Sequence, residues 1–499
     1  MTTFNKPVKN RTETRNHEGA VAYKLTPELE LYTLVVTSMF SDKFYESSDD
    51  RVERLRTLIA KVKPEFVAKL AVYAREKMYL RTIPLVLVVE LAKIHNGDNL
   101  ISKTVERIVQ RVDEITELLS YYAIANGRTE IKKLGQLSKQ IEKGLAKAIL
   151  KFDEYQLAKY DRKGEIKLRD AFFVVRPTPT SPEQKDMWDR LEKGLLKTPY
   201  TWETELSEKG NKPEVWQELI DSKRFPYMAA MRNLRNILNA GVDKKHVSEV
   251  ASMLANPDNV AKSKQLPFRY LSAYKEILEN DSPQTSMILN ALESAIQASA
   301  QNVKGFDYNQ TIAIACDVSG SMETGISEKS KIQNFDIGLL LGMILQHRCK
   351  SVVSGIFGDS FKIINLPQTG ILENVMELHR REGEVGYSTN GYLVLKELRK
   401  KKIDADKVMI FTDCQMWNSS SGWGEDSGDT FQAEWNAYKK EFPNAKLYLF
   451  DMSGYGSIPV SMQQKDVYLI AGWSDKVFDV LSAFEEGDSA IQVIENTVI

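Results

Sequence analysis

The sequence predicts an α-solenoid followed by a doubly wound α/β domain, and three observations lead there. The chain has 499 residues, more than one hydrophobic core usually holds, so at least two domains are expected. Up to residue 305 the apolar residues recur three and four apart, as on helix faces. From 306 to 499 short β-branched runs alternate with helical stretches instead. The expected domains are therefore 1–305 and 306–499.

In the first part RVERLRTLIAKV (51–62) and PEFVAKLAVYAREKM (64–78) have the helical period, and Pro64 and Pro84 sit where first-turn prolines open helices. Further helices are expected around 100–120, 131–151, 183–196, 213–221, 227–239, 243–255, 265–279 and 283–300. Short turns between successive helices suggest paired repeats, although no fixed-period sequence repeat is visible. The Pro-rich stretch DAFFVVRPTPTSPEQ (170–184) reads as an ordered crossover loop. In the second part TIAIACDV, SVVSGIFG, FKIINL, KVMIFTD, KLYLFDM and VYLIAG are apolar runs of strand length. Helices are expected between them near 331–347, 371–382, 390–401, 430–441 and 474–485. Strands apolar on both faces, alternating with helices, imply a mostly parallel sheet that holds ligands at the carboxyl ends of its strands.

Bulk properties narrow the class. Hydrophobic content of 42% and charged content of 27% are ordinary for a folded soluble protein, and the net charge of −1 gives no global basic signature. Any nucleic-acid surface must come from local clustering. Cys316, Cys349 and Cys414 stand far apart without CxxC spacing, which fits a reducing compartment better than a disulfide framework. The polar N-terminus lacks a signal peptide's apolar stretch, and no run is long enough to span a membrane. A cytoplasmic protein with no membrane partner is expected.

The first strand of the second part ends in Asp317-Val318-Ser319-Gly320-Ser321, the pattern DxSxS. A carboxylate and two hydroxyls at alternate loop positions can aim three oxygens at one hard cation, and Mg²⁺ is the expected ion because it keeps several waters. A second carboxylate, Asp413, arrives at the end of KVMIFTD, and the loop Gly386–Gly391 offers the Thr389 hydroxyl, or Ser388 one position earlier. The bland alternative is a polar turn after a strand. A dehalogenase-type phosphatase is excluded because it needs a second aspartate where Ser319 stands. These residues resemble the metal-ion-dependent adhesion site of von Willebrand factor A domains. The resemblance implies that Asp317, Ser319, Ser321, Thr389 and Asp413 surround one divalent cation, with an acidic side chain from a protein partner completing the sphere. Asn390 departs from the family, where the residue after the threonine is often acidic. His347 and His379 fall in or at the ends of helices, so no general base is expected near the strand tips.

From Arg128 to Arg176 the chain holds 13 Lys and Arg against 7 Asp and Glu. Lys139, Lys143, Lys147 and Lys151 recur every four residues along one helix face, while Ile141, Leu145, Ala148 and Phe152 form the inward face. Lys159, Arg162, Lys163, Lys167 and Arg169 follow, interleaved with Tyr155, Tyr160 and Phe172. Cations neutralise phosphates and aromatic faces stack on unpaired bases, but a lysine stripe is more often a solvated helix side.

The order of NHEGAVAY, KGLAKAI (143–149), FFVVRP, MRNLRNIL (231–238), LPFRYLSAY (266–274), IAIACDVSGSM, MIFTDCQ and AGWSDKVFDVLSAF resembles the Ro autoantigen family. Its helical part is the TROVE module, and the likeness covers nearly the full length. The resemblance implies a ring of HEAT-like helical repeats joined to the A domain, the block 467–485 lying near the N-terminal helices. It also implies binding of small structured RNA on an outer basic face and of single-stranded RNA ends in the hole. Residue by residue it points to Lys139, Lys143, Lys147, Lys167, Arg169 and Arg176 on the outer face, and to Arg232, Arg235, Lys264 and Arg269 facing the cavity. Surface salt bridges are the plain alternative for Arg232 and Arg235. Ile166 and Val174 stand where the family tends to have histidines.

Two functions follow as expectations. One is a non-catalytic RNA-binding protein in RNA quality control or ribonucleoprotein scaffolding. The other is a metal-dependent protein–protein adhesion scaffold using the cation site. An enzyme is not expected, because no Ser-His-Asp set, phosphate loop or nucleotide fingerprint has a plausible context.

Overall fold

The computed structural model describes residues 13–16, 19–37, 50–128, 137–161, 166–301, 310–326, 330–417, 430–464, 466–474, 476–485 and 489–499. The chain forms two compact units, each drawn from three stretches: Met1–Thr37, Leu266–Ser272 and Glu293–Ala490 in one, Ser38–Gln265, Ala273–Leu292 and Ile491–Ile499 in the other.

The first unit contains all the described strands. They are β1 (Glu13–Arg15), β2 (Val21–Lys24), β3 (Thr311–Asp317), β4 (Ser351–Phe357), β5 (Phe361–Ile363), β6 (Lys407–Thr412), β7 (Lys446–Asp451), β8 (Ser457–Ile458) and β9 (Val467–Ala471). Six of them form a sheet of order β5-β4-β3-β6-β7-β9, parallel throughout except for β5, which folds back against β4. The six expected apolar runs are these six strands. FKIINL pairs with β4 over Phe361–Ile363, and a last bond runs from the Ile364 N–H to the Ser354 carbonyl (2.8 Å). Helices Asn334–Arg348, Ile371–Arg380, Tyr392–Lys400, Phe431–Glu441 and Val477–Glu485 fill the intervals, as the periodicity predicts. Burial on both faces explains why the central strands carry no polar alternation: every residue of β6 is buried. Gly342 lets the Asn334–Arg348 helix approach β3, since a Cβ there would lie 2.8 Å from Cys316 Sγ.

Sequence periodicity did not reveal a second, small antiparallel sheet of order β1-β2-β8. It brings the N-terminal stretch onto the α/β unit. Thr26 caps the following helix Pro27–Val36, whose Tyr32 hydroxyl donates to the Ala471 carbonyl at the end of β9 (3.3 Å). The expected nearness of the last strand block to an N-terminal helix is met in this contact.

The second unit is the array of paired helices. Pro64, Pro182, Pro213 and Pro257 each stand in the first turn of a helix, where a missing N–H costs nothing. Helices Glu154–Tyr160, Trp202–Lys209 and Pro257–Ser263 were not expected, and the array departs from expectation in three further places. The stretch 100–120 is two helices, Leu100–Ile108 and Asp113–Ala125, because the buried Glu114 carboxylate takes the N–H groups of Gln110 (2.8 Å) and Arg111 (3.0 Å) and starts a new helix. The stretch 227–239 divides at Asn233, whose side-chain amide bonds the Ala229 carbonyl at 2.8 Å and competes with the ladder. The expected crossover loop 170–184 is corrected: Leu168–Val175 is a helix, capped by Asp170 on the Lys167 N–H (2.9 Å) and burying Leu168, Ala171, Phe172 and Val175. Its apolar spacing was helical, and only 176–181 is loop before helix Pro182–Glu192 begins.

Helix Lys139–Ile149 packs on Leu100–Ile108 through Gly144, where a Cβ would sit 2.6 Å from Val105 Cβ and 2.7 Å from the Ser102 carbonyl. The remainder of the expected helix 131–151 that precedes Leu137 lies outside the described residues. Replacing Gly144 by leucine should therefore force these two helices apart and cost on the order of 3 kcal/mol. Urea unfolding followed by circular dichroism checks this; an unchanged midpoint would show that the contact is not close.

Candidate functional site

Because the strands are parallel, β3 and β6 deliver Asp317 and Asp413 to the same edge of the sheet, and both are buried. Backbone hydrogen bonds tie three loops together there. The Gly320 N–H donates to the Tyr387 carbonyl (2.9 Å), the Trp417 N–H to the Thr389 carbonyl (2.8 Å), and the Val318 N–H to the Phe357 carbonyl (3.1 Å). All five residues expected around a cation, Asp317, Ser319, Ser321, Thr389 and Asp413, are thus on one rim. Ser319 and Ser321 hydroxyl oxygens lie 3.2 Å apart. Thr389 is buried, whereas the Ser388 N–H donates to Asp359 (2.7 Å) and its hydroxyl helps hold that carboxylate below its usual range. Of the two candidate hydroxyls, Thr389 is the one left for the rim. Asn390 does not stand in for an acidic ligand: its amide bonds the Asp359 carbonyl at 3.3 Å.

The electrostatics of the rim are unfavourable for the protein alone. Asp317 accepts from the Ser319 N–H (3.0 Å) and the Thr412 hydroxyl (2.6 Å), yet its pKa is pushed up to about 7. Burial is the larger cause and the nearby charge of Asp413 the second. Thr412 was not singled out from the sequence, although its place one residue before Asp413 in a β-strand puts it on the Asp317 side. Among the described residues no set of three or more His, Cys, Asp or Glu side chains is arranged to hold a metal. A cation on this rim would rest on two carboxylates and three hydroxyls, a donor set of hard oxygens that fits Mg²⁺. Tyr387 and Trp417 flank it, 54% and 44% exposed. The histidines are occupied elsewhere, His347 on the Gln368 carbonyl (2.9 Å) and His379 on Asp336 (3.1 Å).

The expected basic residues separate into two kinds. On helix Lys139–Ile149, Ile141, Leu145 and Ala148 are buried as the stripe predicts, and Lys139, Lys143 and Lys147 are exposed. Lys139 pairs with Glu142 (2.9 Å) and Lys147 with Glu106 (3.2 Å), both on open surface where such pairs hold weakly. Lys151, also exposed, is committed to the carbonyls of Glu106 and Val109. Arg162 and Lys163 lie outside the described residues. Lys167 is half-buried at the head of helix Leu168–Val175 and Arg169 exposed on it. Arg176 caps that helix in a left-handed conformation (φ 51°), its guanidinium 5.8 Å from the ring of Phe173, which is 74% exposed. Arg232 is exposed, while Arg235 is ion-paired with Glu276, as the plain reading expected. Lys264 lies over the Tyr79 ring at 5.4 Å. Arg269, over Phe268 at 5.0 Å, belongs to the strand-bearing unit.

The chain matches the TROVE domain family over residues 41–197 and 188–338. Telomerase protein component 1 of Rattus norvegicus is 25% identical over 334 residues that take in 50% of this chain. The same protein of Mus musculus is 24% identical over 333 residues. This chain spans only 13% of the length of either relative. The crystal structure of the Ro protein of Deinococcus radiodurans superposes with a TM-score of 0.60, covering 93% of this chain and all of that one at 16% identity. The fold is shared.

The strained pair of carboxylates makes a pH-dependent prediction. Because the folded pKa of Asp317 lies above its ordinary value of 3.8, its contribution to stability is fully present below about pH 4. It is lost as pH rises toward 7. In EDTA at neutral pH, Asp413→Asn should then stabilise the protein by on the order of 1 kcal/mol and flatten its loss of stability between these pH values. Thermal melts across pH test it, and a destabilised D413N at pH 7 would contradict the repulsion.

Proposed function

The chain belongs to the TROVE domain family, and we propose that it is a non-catalytic RNA-binding protein that takes small structured RNA and single-stranded RNA ends. It would act in RNA quality control or as a ribonucleoprotein scaffold. The observation that carries this reading is a set of exposed cations on two contacting helices of the family-matched region, Lys139, Lys143 and Lys147 on one and Arg169 with the cap Arg176 on the other, with Phe173 exposed beside Arg176. Those charges need little rearrangement to meet phosphates, because the acids beside Lys139 and Lys147 are themselves solvent-facing. The exposed phenyl ring supplies a face on which an unpaired base can stack. Among the described residues no helix is long and apolar enough to cross a membrane.

The sheet edge supports a second element of the proposal. Asp317, Ser319, Ser321, Thr389 and Asp413 hold a divalent cation, with Mg²⁺ expected, which would relieve the repulsion between the two buried carboxylates. The exposed Tyr387 and Trp417 favour use of that rim as a docking surface for a protein partner that donates an acidic side chain. This is the alternative function, and it is compatible with RNA binding by the helical unit.

Affinity for a single-stranded RNA should fall steeply between about 50 and about 500 mM salt, since each neutralised phosphate releases counterion. The triple variant K139Q/K143Q/K147Q should weaken binding and reduce the slope of log K against log salt by about 2, which fluorescence anisotropy resolves. Equal affinity at both salt concentrations would defeat the RNA reading. For the rim, Mg²⁺ should raise the melting temperature of the wild-type chain but not of Asp317→Ala, with RNA affinity unchanged in the variant. A wild-type melting temperature that ignores Mg²⁺, Mn²⁺ and Ca²⁺ alike would remove the cation from the proposal.

A further inference from the structure

A cleft of about 500 Å³ opens in the helical unit, and five cationic side chains line it: Arg75, Lys77, Arg81, Arg111 and Lys264. Tyr79 forms an aromatic wall. Among the described residues the one acid lining it is Glu76, and Arg107 holds both its oxygens, at 2.9 and 2.6 Å. Helix ends of both polarities meet there, so the field is set by side chains rather than by helix dipoles.

The arginines are fixed from behind. Glu114, with no exposed surface, accepts from Arg75 Nη2 (2.9 Å) and Arg81 Nε (3.4 Å). Asp113 accepts from Arg81 Nη2 (2.9 Å) and from Arg111 Nε (3.0 Å) and Nη2 (2.9 Å). These bonds leave Nη1 of Arg81 and of Arg111 outside the carboxylate contacts, and both side chains keep about two-fifths of their surface exposed. Lys77 and Lys264 make no salt bridge among the described residues, and Lys264 instead places its ammonium over the Tyr79 ring. Tyr79 (φ 58°) and Lys264 (φ 50°) also hold left-handed backbone conformations that favour glycine. Large functional side chains at two such positions in one cleft are retained at a cost in stability, a pattern associated with binding sites.

We propose that this cleft binds a nucleotide through a terminal phosphate monoester, carried either by a free mononucleotide or by the phosphorylated end of a strand. A monoester is close to a dianion at neutral pH and gains from several converging cations, whereas an internal diester carries one charge and must continue on both sides. The volume suits a ligand of nucleotide size, and the Tyr79 ring offers a base or ribose an apolar face. The strand-end source rests on the RNA-binding reading; the free-nucleotide source does not.

The test uses the full chain and the variant K77Q/K264Q, whose two lysines carry no ion pair and whose fold is verified by thermal melting. Calorimetry should give AMP an affinity at least about tenfold above that of adenosine, and the variant should lose about tenfold for AMP alone. Anisotropy with a single strand phosphorylated at its 5′ or 3′ end, against the same strand with free hydroxyls, separates the sources. A phosphate-dependent gain that disappears in the variant identifies the strand end. AMP binding that disappears in the variant without any such gain identifies the free nucleotide. AMP no tighter than adenosine, or equally tight in the variant, overturns the proposal. In that event salt-dependent strand binding still stands or falls by itself, so failure of the cleft and failure of the RNA reading are distinguishable.

Discussion

Buried carboxylates need cations, and each compact unit meets that need in its own way. In the strand-bearing unit the parallel sheet brings Asp317 and Asp413 to one desolvated edge, where hydroxyls and backbone N–H groups surround them. The Asp317 carboxyl is driven toward protonation there. In the helical unit the buried Glu114 is instead met by Arg75 and Arg81 from within the chain, and it ends one helix and begins another on the way. The first arrangement leaves negative charge for something outside the chain to compensate. The second uses the acid to aim arginines outward.

This contrast gives the two halves complementary chemistry. The sheet edge carries two buried carboxylates and is bordered by the exposed Tyr387 and Trp417. The helical unit offers cations in two settings, a solvated stripe on Lys139–Ile149 and an anchored cleft around Tyr79. Solvated lysines interchange partners readily and suit a sequence-independent grip on a phosphate backbone. Arginines held by buried acids have lost that freedom already, which favours a ligand of defined shape.

Several of the basic residues singled out from the sequence sort by their neighbours rather than by their position in the chain. Arg235 is committed to Glu276, and Lys151 to backbone carbonyls, whereas Lys143 and Arg232 project into solvent. Arg75, Arg81 and Arg111 escaped notice because the acids that orient them, Asp113 and Glu114, lie more than thirty residues from the first two. Charge counting around REKMYLRT gives three cations against one acid, too small an excess to mark a site.

Sequence alone determined the architecture of paired helices and doubly wound sheet, the six core strands and the arrival of Asp317 and Asp413 at one sheet edge. Each of these is written in local periodicity or in a motif at a strand tip, and a parallel sheet must carry its strand-end motifs to one edge. Only the tertiary structure showed that Asp359, from another loop, engages Ser388. It also decided that β1 and β2 join β8, and that helix ends from separate stretches of the chain enclose a cationic cleft. Short strands and converging side chains have no period of their own; their partners come from distant stretches, and only folding brings those within hydrogen-bonding range.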